Sequence, residues 1–465
     1  MTLFTTLLLF ITTGAGAASI LRFSVPGTML GRIAFWYLAG IAAMGASLHV
    51  LGALGVRLTS FTVWVIVAIA AAVVVVNRSA LSCARHIRHP PAASLALYVP
   101  IIALTLMASV LPIRDYDGRA TWLPKALAIS GDGTIDGPFF QGRAGLNLHN
   151  EYPLLMPLNA AAVMVATSRS EPEAVGWLYA LVSVAALLAA RDLIAVTQPR
   201  SAAWVIAYAA WLPMFLSVEG GALAAYNDVT VLALTGASVV SLHTPELGRA
   251  GMRAAALFLP ALVLLKNEGV VIALSVLLSA ALMRRLRGRE WVPILGSIVS
   301  AVALLLAWRA RVPAAYDEQY DVLLRTLPDV LHRLPLALGS LAMHGSDRNV
   351  WAFFWPVTLI ASVVALSRHR RAYAVGPLLV VVLMFGTYAL TFAVTSWNIA
   401  ELANVAASRL LLHLVIPACF VIAVAAEPVF GSPSRFSDAE RGYPALASGV
   451  APLNVADYDN ANSQQ

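Results

Sequence analysis

The run ASLALYVPIIALTLMASVLP, residues 93–112, holds no Asp, Glu, Lys or Arg in twenty positions. Coiled as a helix at about 1.5 Å per residue, it is about as long as a bilayer's hydrocarbon core is thick. The next stretch, IRDYDGRATWLPK, residues 113–125, carries five charged residues in thirteen. An apolar run that breaks abruptly into a charged loop reads as a membrane span emerging into water. Residues 2–21, 33–54 and 60–77 repeat the uncharged pattern. Strands of a membrane barrel alternate in polarity, so runs of this kind exclude a barrel. The fold class expected is an all-α polytopic membrane protein.

Composition agrees. Apolar residues make up 60% of the 465 and charged residues 12%, about half the share of a soluble domain. The formal charge of +7 comes mainly from arginines in short connections, which is the cytoplasmic bias of membrane proteins and not a nucleic-acid footprint. The two cysteines, Cys83 and Cys419, fall in a loop and a span, so neither a disulfide nor a cysteine metal site is expected. The first span lacks a basic leader and reads as a retained helix, although AGAA near Ala18 resembles a cleavage site.

Arginine clusters set the expected topology. They lie at Arg22 and Arg32, at Arg78, Arg85 and Arg88, at Arg191 and Arg200, at Arg249 and Arg253, at 284–289 and at 368–371. With all of them cytoplasmic, the N-terminus is outside, the C-terminus inside and the segment 113–151 outside. Between an outside Glu151 and an inside Arg191 the chain crosses an odd number of times. Residues 152–167 therefore read as a re-entrant or interfacial helix and 174–190 as the crossing. The alternative is an ordinary hairpin with Arg191 and Arg200 outside. Further crossings are expected at 202–218, 229–243, 254–265, 270–283, 292–309, 351–367, 373–394 and 410–427, about 13 in all. The division is then 1–112, N-terminal spans; 113–151, an external catalytic loop with an amphipathic helix; 152–427, a membrane core with a second external loop at 310–350; and 428–465, a disordered cytoplasmic tail. The loop 310–350 is expected to hold short surface helices.

The chemistry-bearing residues gather at the outer side of this topology. Asp115 and Asp117 stand in RDYDGR, where a carboxylate can take a proton from a hydroxyl or hold a divalent cation; each alone also reads as a solvated loop residue. Thr121 is placed to cap a helix whose face Trp122, Ala126 and Ile129 suits the membrane interface. The chain has two lysines, Lys125 and Lys266, neither in an arginine-rich loop. A lysine is a point charge suited to phosphate, or simply one that snorkels to the interface. Asp228 opens a later span, where it binds substrate or caps the helix. Glu219 and Glu268 are candidate partners. His149, Glu151 and Tyr152 lead into 152–167; His-x-Glu without a third ligand is thin support for a metal. Arg409 starts the last span.

These residues resemble, in order, the motifs of the GT-C superfamily of polyprenyl-phosphate-dependent membrane glycosyltransferases, which includes protein O-mannosyltransferases and aminoarabinose transferases. Asp117, Trp122 and Lys125 are similar to a D-x4-W-x2-K-A loop, and His149, Tyr152, Pro153 and Leu154 to its H-x2-Y-P-L end. Tyr226 to Asp228 resembles the second acidic site, Lys266 to Gly269 the K-x-E-G hairpin, and Ser408, Arg409 and Pro417 an S-R-x7-P pattern. The match spans about 112–420. A glycine follows Asp117 where many relatives have a second acid. The resemblance implies a GT-C-like fold in a bacterial inner (plasma) membrane. It also implies inverting transfer of a sugar from a polyprenyl-phosphate donor to a glycan, glycolipid or protein acceptor on the periplasmic or extracellular side. Asp117 would be the base, with Asp228 and Asp115 as further catalytic candidates. Lys125, Lys266, Arg409 and Arg119 would hold the donor phosphate, and Trp122, His149, Glu151, Tyr152 and Glu268 the substrates. A divalent cation is left open as cofactor. The partners are the lipid-linked sugar and the bilayer, with no nucleic acid. The alternative function is a multi-span transporter or lipid-carrier flippase, whose sites lie near the bilayer midplane within repeats.

Overall fold

The computed structural model describes residues 2–24, 26–78, 87, 89–142, 149–171, 175–218, 220–286, 289, 291–312, 327–367, 371–395 and 397–430. Among them there is no strand. In chain order the helices are α1 (Thr2–Ile20), α2 (Met29–Ala53), α3 (Ser60–Val76), α4 (Pro91–Val110), α5 (Leu123–Asp132), α6 (Pro138–Gln141) and α7 (Leu155–Thr167). Then come α8 (Gly176–Ala195), α9 (Ala202–Ala210), α10 (Pro213–Leu216), α11 (Asp228–His243), α12 (Gly248–Leu265), α13 (Gly269–Leu282) and α14 (Trp291–Arg309). The series ends with α15 (Leu327–Ser346), α16 (Arg348–Trp351), α17 (Phe354–Leu366), α18 (Arg371–Val394), α19 (Ile399–Leu412) and α20 (Val415–Phe430). The described residues up to Glu427 form one compact unit, and most of the expected cytoplasmic tail, 431–465, lies outside the described residues.

Seven helices are long and apolar enough to cross a membrane, or eight if α19 and α20, bent by 52° at a short break, form one span. Helices α3, α7, α11, α13 and α17 are apolar but shorter. The expected crossing 202–218 is broken into α9 and α10 at Pro213. The outward faces are themselves apolar: Leu95, Val99, Ile102, Leu106 and Val110 on α4, and Leu359, Ile360 and Val363 on α17, are exposed. An apolar exterior over an equally apolar interior is the build of a helical membrane protein.

Lipid tails are as apolar as leucine, so helices here gain by close packing and by internal hydrogen bonds. Glycine permits the closest approach. A Cβ on Gly14 of α1 would lie 1.7 Å from the Trp36 carbonyl oxygen, and one on Gly40 of α2 would lie 1.8 Å from the Phe10 carbonyl oxygen. Threonines 28 and 59 cap α2 and α3, each hydroxyl accepting from a backbone N–H three residues on.

The bundle has two distinct ends. At one, Arg253 donates to the Arg22 carbonyl (2.9 Å), Arg285 to the Ala372 carbonyl (3.3 Å), and Glu427 accepts from the Arg200 and Ser201 amides. At the other, Arg311 donates to the Ala53 carbonyl (3.2 Å), Gln141 to the Arg311 carbonyl (2.8 Å), and Leu58 to the Gly133 carbonyl (2.8 Å). The arginine-rich connections and the RDYDGR loop thus lie at opposite ends.

Four local expectations change. Arg191 is not in a loop: α8 runs to Ala195, and Arg191 is fully buried within it. Its guanidinium meets Asp192 (2.7 Å), Thr28 (2.9 Å) and Tyr98 (3.2 Å), while His89 reaches Asp192 at 2.8 Å. A buried charge needs such partners, and these bind α2, α4 and α8 together. Helix α7 is not interfacial: eleven of its thirteen residues are buried in protein. Thr121 does not cap α5, because it sits inside a π-turn, Gly118–Trp122, that runs straight into the helix. In the second loop the short helix is α16, whereas α15 is a surface helix of twenty residues, longer than expected, that packs by one face on α18 and α19. The loop residues 313–326 lie outside the described residues.

Candidate active site

Asp228 is the first residue of α11 and is fully buried. Burial of a carboxylate demands compensation, and three side chains supply it. Lys266 Nζ lies 2.6 Å and His413 Nε2 2.9 Å from Oδ1, while Arg409 Nε lies 2.9 Å from Oδ2. Lys266 arrives because α12 ends there in extended backbone, and Asn227 ties the two elements by donating to the Leu265 carbonyl (3.4 Å). Gly269 makes the hairpin possible: a Cβ there would stand 1.7 Å from the Leu262 carbonyl oxygen. Arg409 and His413 arrive together from α19, one helical turn apart, just before the bend. Behind them Tyr388 of α18 lies 2.8 Å from His413 Nδ1. The Tyr388 hydroxyl, which can donate to or accept from that nitrogen, holds the ring so that Nε2 faces Asp228.

Arg409 also reaches outward. Its Nη2 lies 2.8 Å from Asp117 Oδ2, and its guanidinium sits 4.0 Å from the centre of the Tyr226 ring. Gly220, at φ +77°, passes so close that an added Cβ would lie 3.0 Å from Arg409 Cγ. One guanidinium therefore joins two carboxylates 111 residues apart in sequence (228 − 117). They differ in access: the Asp117 side chain is 30% exposed and that of Asp228 0%. Glu268, at 3.6 Å from Lys266, is half-open as well.

Asp115 has a holding role. It is buried, and its two oxygens accept from the Gly118 amide (2.7 Å) and the Ala225 amide (3.0 Å), fastening the loop to the approach to α11. Burial raises its pKa above the ordinary carboxylate value, partly offset by those amides. Arg119 is exposed, and Glu219 is outside the described residues.

Lys125 belongs to a second cluster. It is fully buried, donates to the His149 carbonyl (2.5 Å), and lies 5.1 Å from the Trp122 ring centre and 5.3 Å from that of Tyr152. His149 stacks on Tyr152 at 4.6 Å and faces Glu151 at 3.8 Å. Burial pulls the Lys125 amine down to about 7, with Glu151 opposing the shift. Burial pushes Glu151 upward, but His149 and Lys125 hold it below its ordinary value. The face Trp122, Ala126, Ile129 is buried, and α5 packs on α7 rather than lying on an interface. Arg309 bridges the clusters, donating to the Glu151 carbonyl (3.3 Å) and to Asn267 Oδ1 (2.5 Å).

The structure thus unites Asp117, Asp228, Lys266, Arg409 and Glu268, and gathers Trp122, Lys125, His149, Glu151 and Tyr152 beside them. His413, Tyr388 and Arg309 are additions. His413 carried a signal: a histidine four residues after Arg409 shares its helix face. Among the described residues no three His, Cys, Asp or Glu side chains come together as a metal site. Comparison with family models, with curated proteins and with solved structures returns no match.

Proposed function

We propose that the chain is an integral-membrane glycosyltransferase that takes a sugar from a polyprenyl-phosphate donor and passes it to a hydroxyl acceptor at the RDYDGR end of the bundle. The observation that supports this reading is the shared guanidinium: Arg409 holds a half-open carboxylate, Asp117, and a sealed one, Asp228. The sealed acid has both oxygens occupied and fixes the geometry. The open acid is paired to Arg409 through one oxygen but is 30% exposed, so substrate can reach it.

The cations are already neutralised, so a donor phosphate must compete for them. A phosphate at the outer edge of Arg409 displaces Asp117 and leaves that carboxylate unpaired beside the bound donor. Asp117 then takes the proton of the acceptor hydroxyl as its oxygen bonds to the anomeric carbon. The bond from that carbon to the phosphate oxygen breaks, and the polyprenyl phosphate leaves with its charge met by Arg409 and Lys266. The base is thus held inactive until the donor is in place. Asp228, His413 and Tyr388 keep Arg409 aimed throughout. In this reading Lys125 positions the His149–Tyr152 wall and does not touch phosphate. The site end faces the outside, the N-terminus is outside and the C-terminus cytoplasmic, following the arginine bias at the opposite end. The count of about 13 crossings takes α3, α11, α13, α17 and the broken α9–α10 as spans that thin the membrane around the site, and leaves α7 as a helix that does not cross.

The test is genetic and chemical. Surface glycans and glycolipids of a deletion strain are compared by mass spectrometry with the strain complemented by wild type or Asp117→Asn. The expected result is a sugar missing in the deletion strain, restored by wild type and not by the variant at equal protein level. Restoration by Asp117→Asn removes the base assignment. An unchanged glycan profile in the deletion strain removes the transferase reading.

A further inference from the structure

At the arginine-rich end two neighbouring cavities open between the ends of α11, α12, α13 and α14. The first, about 380 Å³, is lined by Thr244, Gly248, Arg249, Met252, Arg284 and Arg285, among others. The second, about 370 Å³, shares Arg249 and Met252 and continues past Arg253 along Leu21, Ala256 and Ile294. One is a cradle of three guanidinium groups; the other is a mostly hydrocarbon channel with basic groups at its rim.

Two further observations point to an acceptor-rich ligand in the cradle. Arg285 Nε and Thr244 Oγ1 are buried with no hydrogen-bond partner among the described residues. A buried donor left without an acceptor is costly, and both atoms belong to residues that line the first cavity. The nearby Glu246 carboxylate accepts from the Tyr373 hydroxyl at 2.8 Å and bonds neither of these two atoms. Guanidinium groups match phosphate oxygens in planar, two-pronged geometry.

We propose that these joined cavities bind one anionic phospholipid from the leaflet at this end. Its phosphate sits among Arg249, Arg284, Arg285 and Thr244, and an acyl chain lies along Met252, Ala256 and Ile294. The occupant is a lipid rather than a free phosphate because the cradle continues into an apolar channel. The site lies at the opposite end from Asp117, so it is independent of the transferase reading.

The full-length protein in detergent is incubated with equimolar phosphatidylglycerol and phosphatidylcholine, and retained lipid is counted by native mass spectrometry. Wild type should keep phosphatidylglycerol in excess. The triple variant Arg249→Gln/Arg284→Gln/Arg285→Gln should keep at least about tenfold less, since each basic group near an anionic headgroup contributes severalfold. Arg78→Gln/Arg200→Gln/Arg371→Gln, on the same end but outside the cavities, should match wild type. If the cavity triple variant does not fold, Arg285→Gln alone is read in the same way, with a loss of about fivefold. Equal retention of the two lipids, equal loss in both triple variants, full retention by a folded cavity variant, or displacement of the lipid by millimolar inorganic phosphate overturns the proposal.

Discussion

Arg409→Gln removes a group that touches both carboxylates of the site, and its cost can be divided. Asp228 has no access to water and keeps Lys266 at 2.6 Å and His413 at 2.9 Å after the change. Breaking a buried ion pair costs about 3–5 kcal/mol; with two of three partners retained, the lower end, about 3 kcal/mol, is expected. Asp117 is 30% exposed, so water replaces the lost partner and its share is less than about 1 kcal/mol. The assay is reversible unfolding in mixed micelles of dodecyl maltoside and SDS, followed by tryptophan fluorescence. Wild type is compared with Arg409→Gln, Asp228→Asn, Asp117→Asn and the two double variants. The Arg409–Asp228 coupling should exceed about 1.5 kcal/mol, and the Arg409–Asp117 coupling should stay below about 1. Additivity of Arg409→Gln and Asp228→Asn within about 0.5 kcal/mol refutes the shared clamp. A larger coupling to Asp117 than to Asp228 refutes the assignment of sealed and open acids.

Lys125 gives a pH signature. Its folded value, about 7, lies below the ordinary 10.5. Between those limits the unfolded chain holds a proton that the folded chain lacks, so stability rises with pH by up to about 1.4 kcal/mol per unit. Below pH 7 both states are charged and the slope vanishes. Melting curves of wild type and Lys125→Met should therefore diverge from pH 7 to 9, wild type gaining, and run parallel from pH 5 to 6.5; a constant offset throughout contradicts the burial argument. Gly40→Ala forces α1 from α2, because its Cβ would lie 1.8 Å from a backbone carbonyl oxygen. A loss of about 1–3 kcal/mol is expected in the same micelle assay, and a neutral result means that the two helices do not meet there.

Charge in an apolar chain is conspicuous, and this made part of the site legible. Asp117, Asp228, Lys266 and Arg409 stand out because few other ionisable residues compete with them, and they do meet. Lys125 stands out equally and lies apart. Its neighbours Trp122 and Ile129 form a good amphipathic face, but periodicity cannot say whether such a face meets lipid or protein, and α7 took it. Arg191 was misplaced for a related reason. Counting basic residues by loop assumes that arginines lie beyond helix ends, whereas Asp192, Thr28 and Tyr98 let this one remain inside. His413 escaped notice because a single histidine in an apolar run is usually a packed core residue. The break between α9 and α10 falls at Pro213, which the sequence shows, whereas nothing in the composition of the apolar stretch 410–427 marks the 52° bend between α19 and α20.

The clamp also has an order in time. Asp228 and Lys266 are 38 residues apart, whereas Asp228 and Arg409 are separated by 181. At roughly 5–20 residues per second, the guanidinium follows the carboxylate out of the ribosome by roughly 10–40 s. Through that interval the nascent chain holds an acid with a single strong counter-charge, and Asp117 has none from this group. Chains that stop before residue 409 therefore lack the guanidinium that joins Asp117 to Asp228, and the site is completed only when α19 has been made.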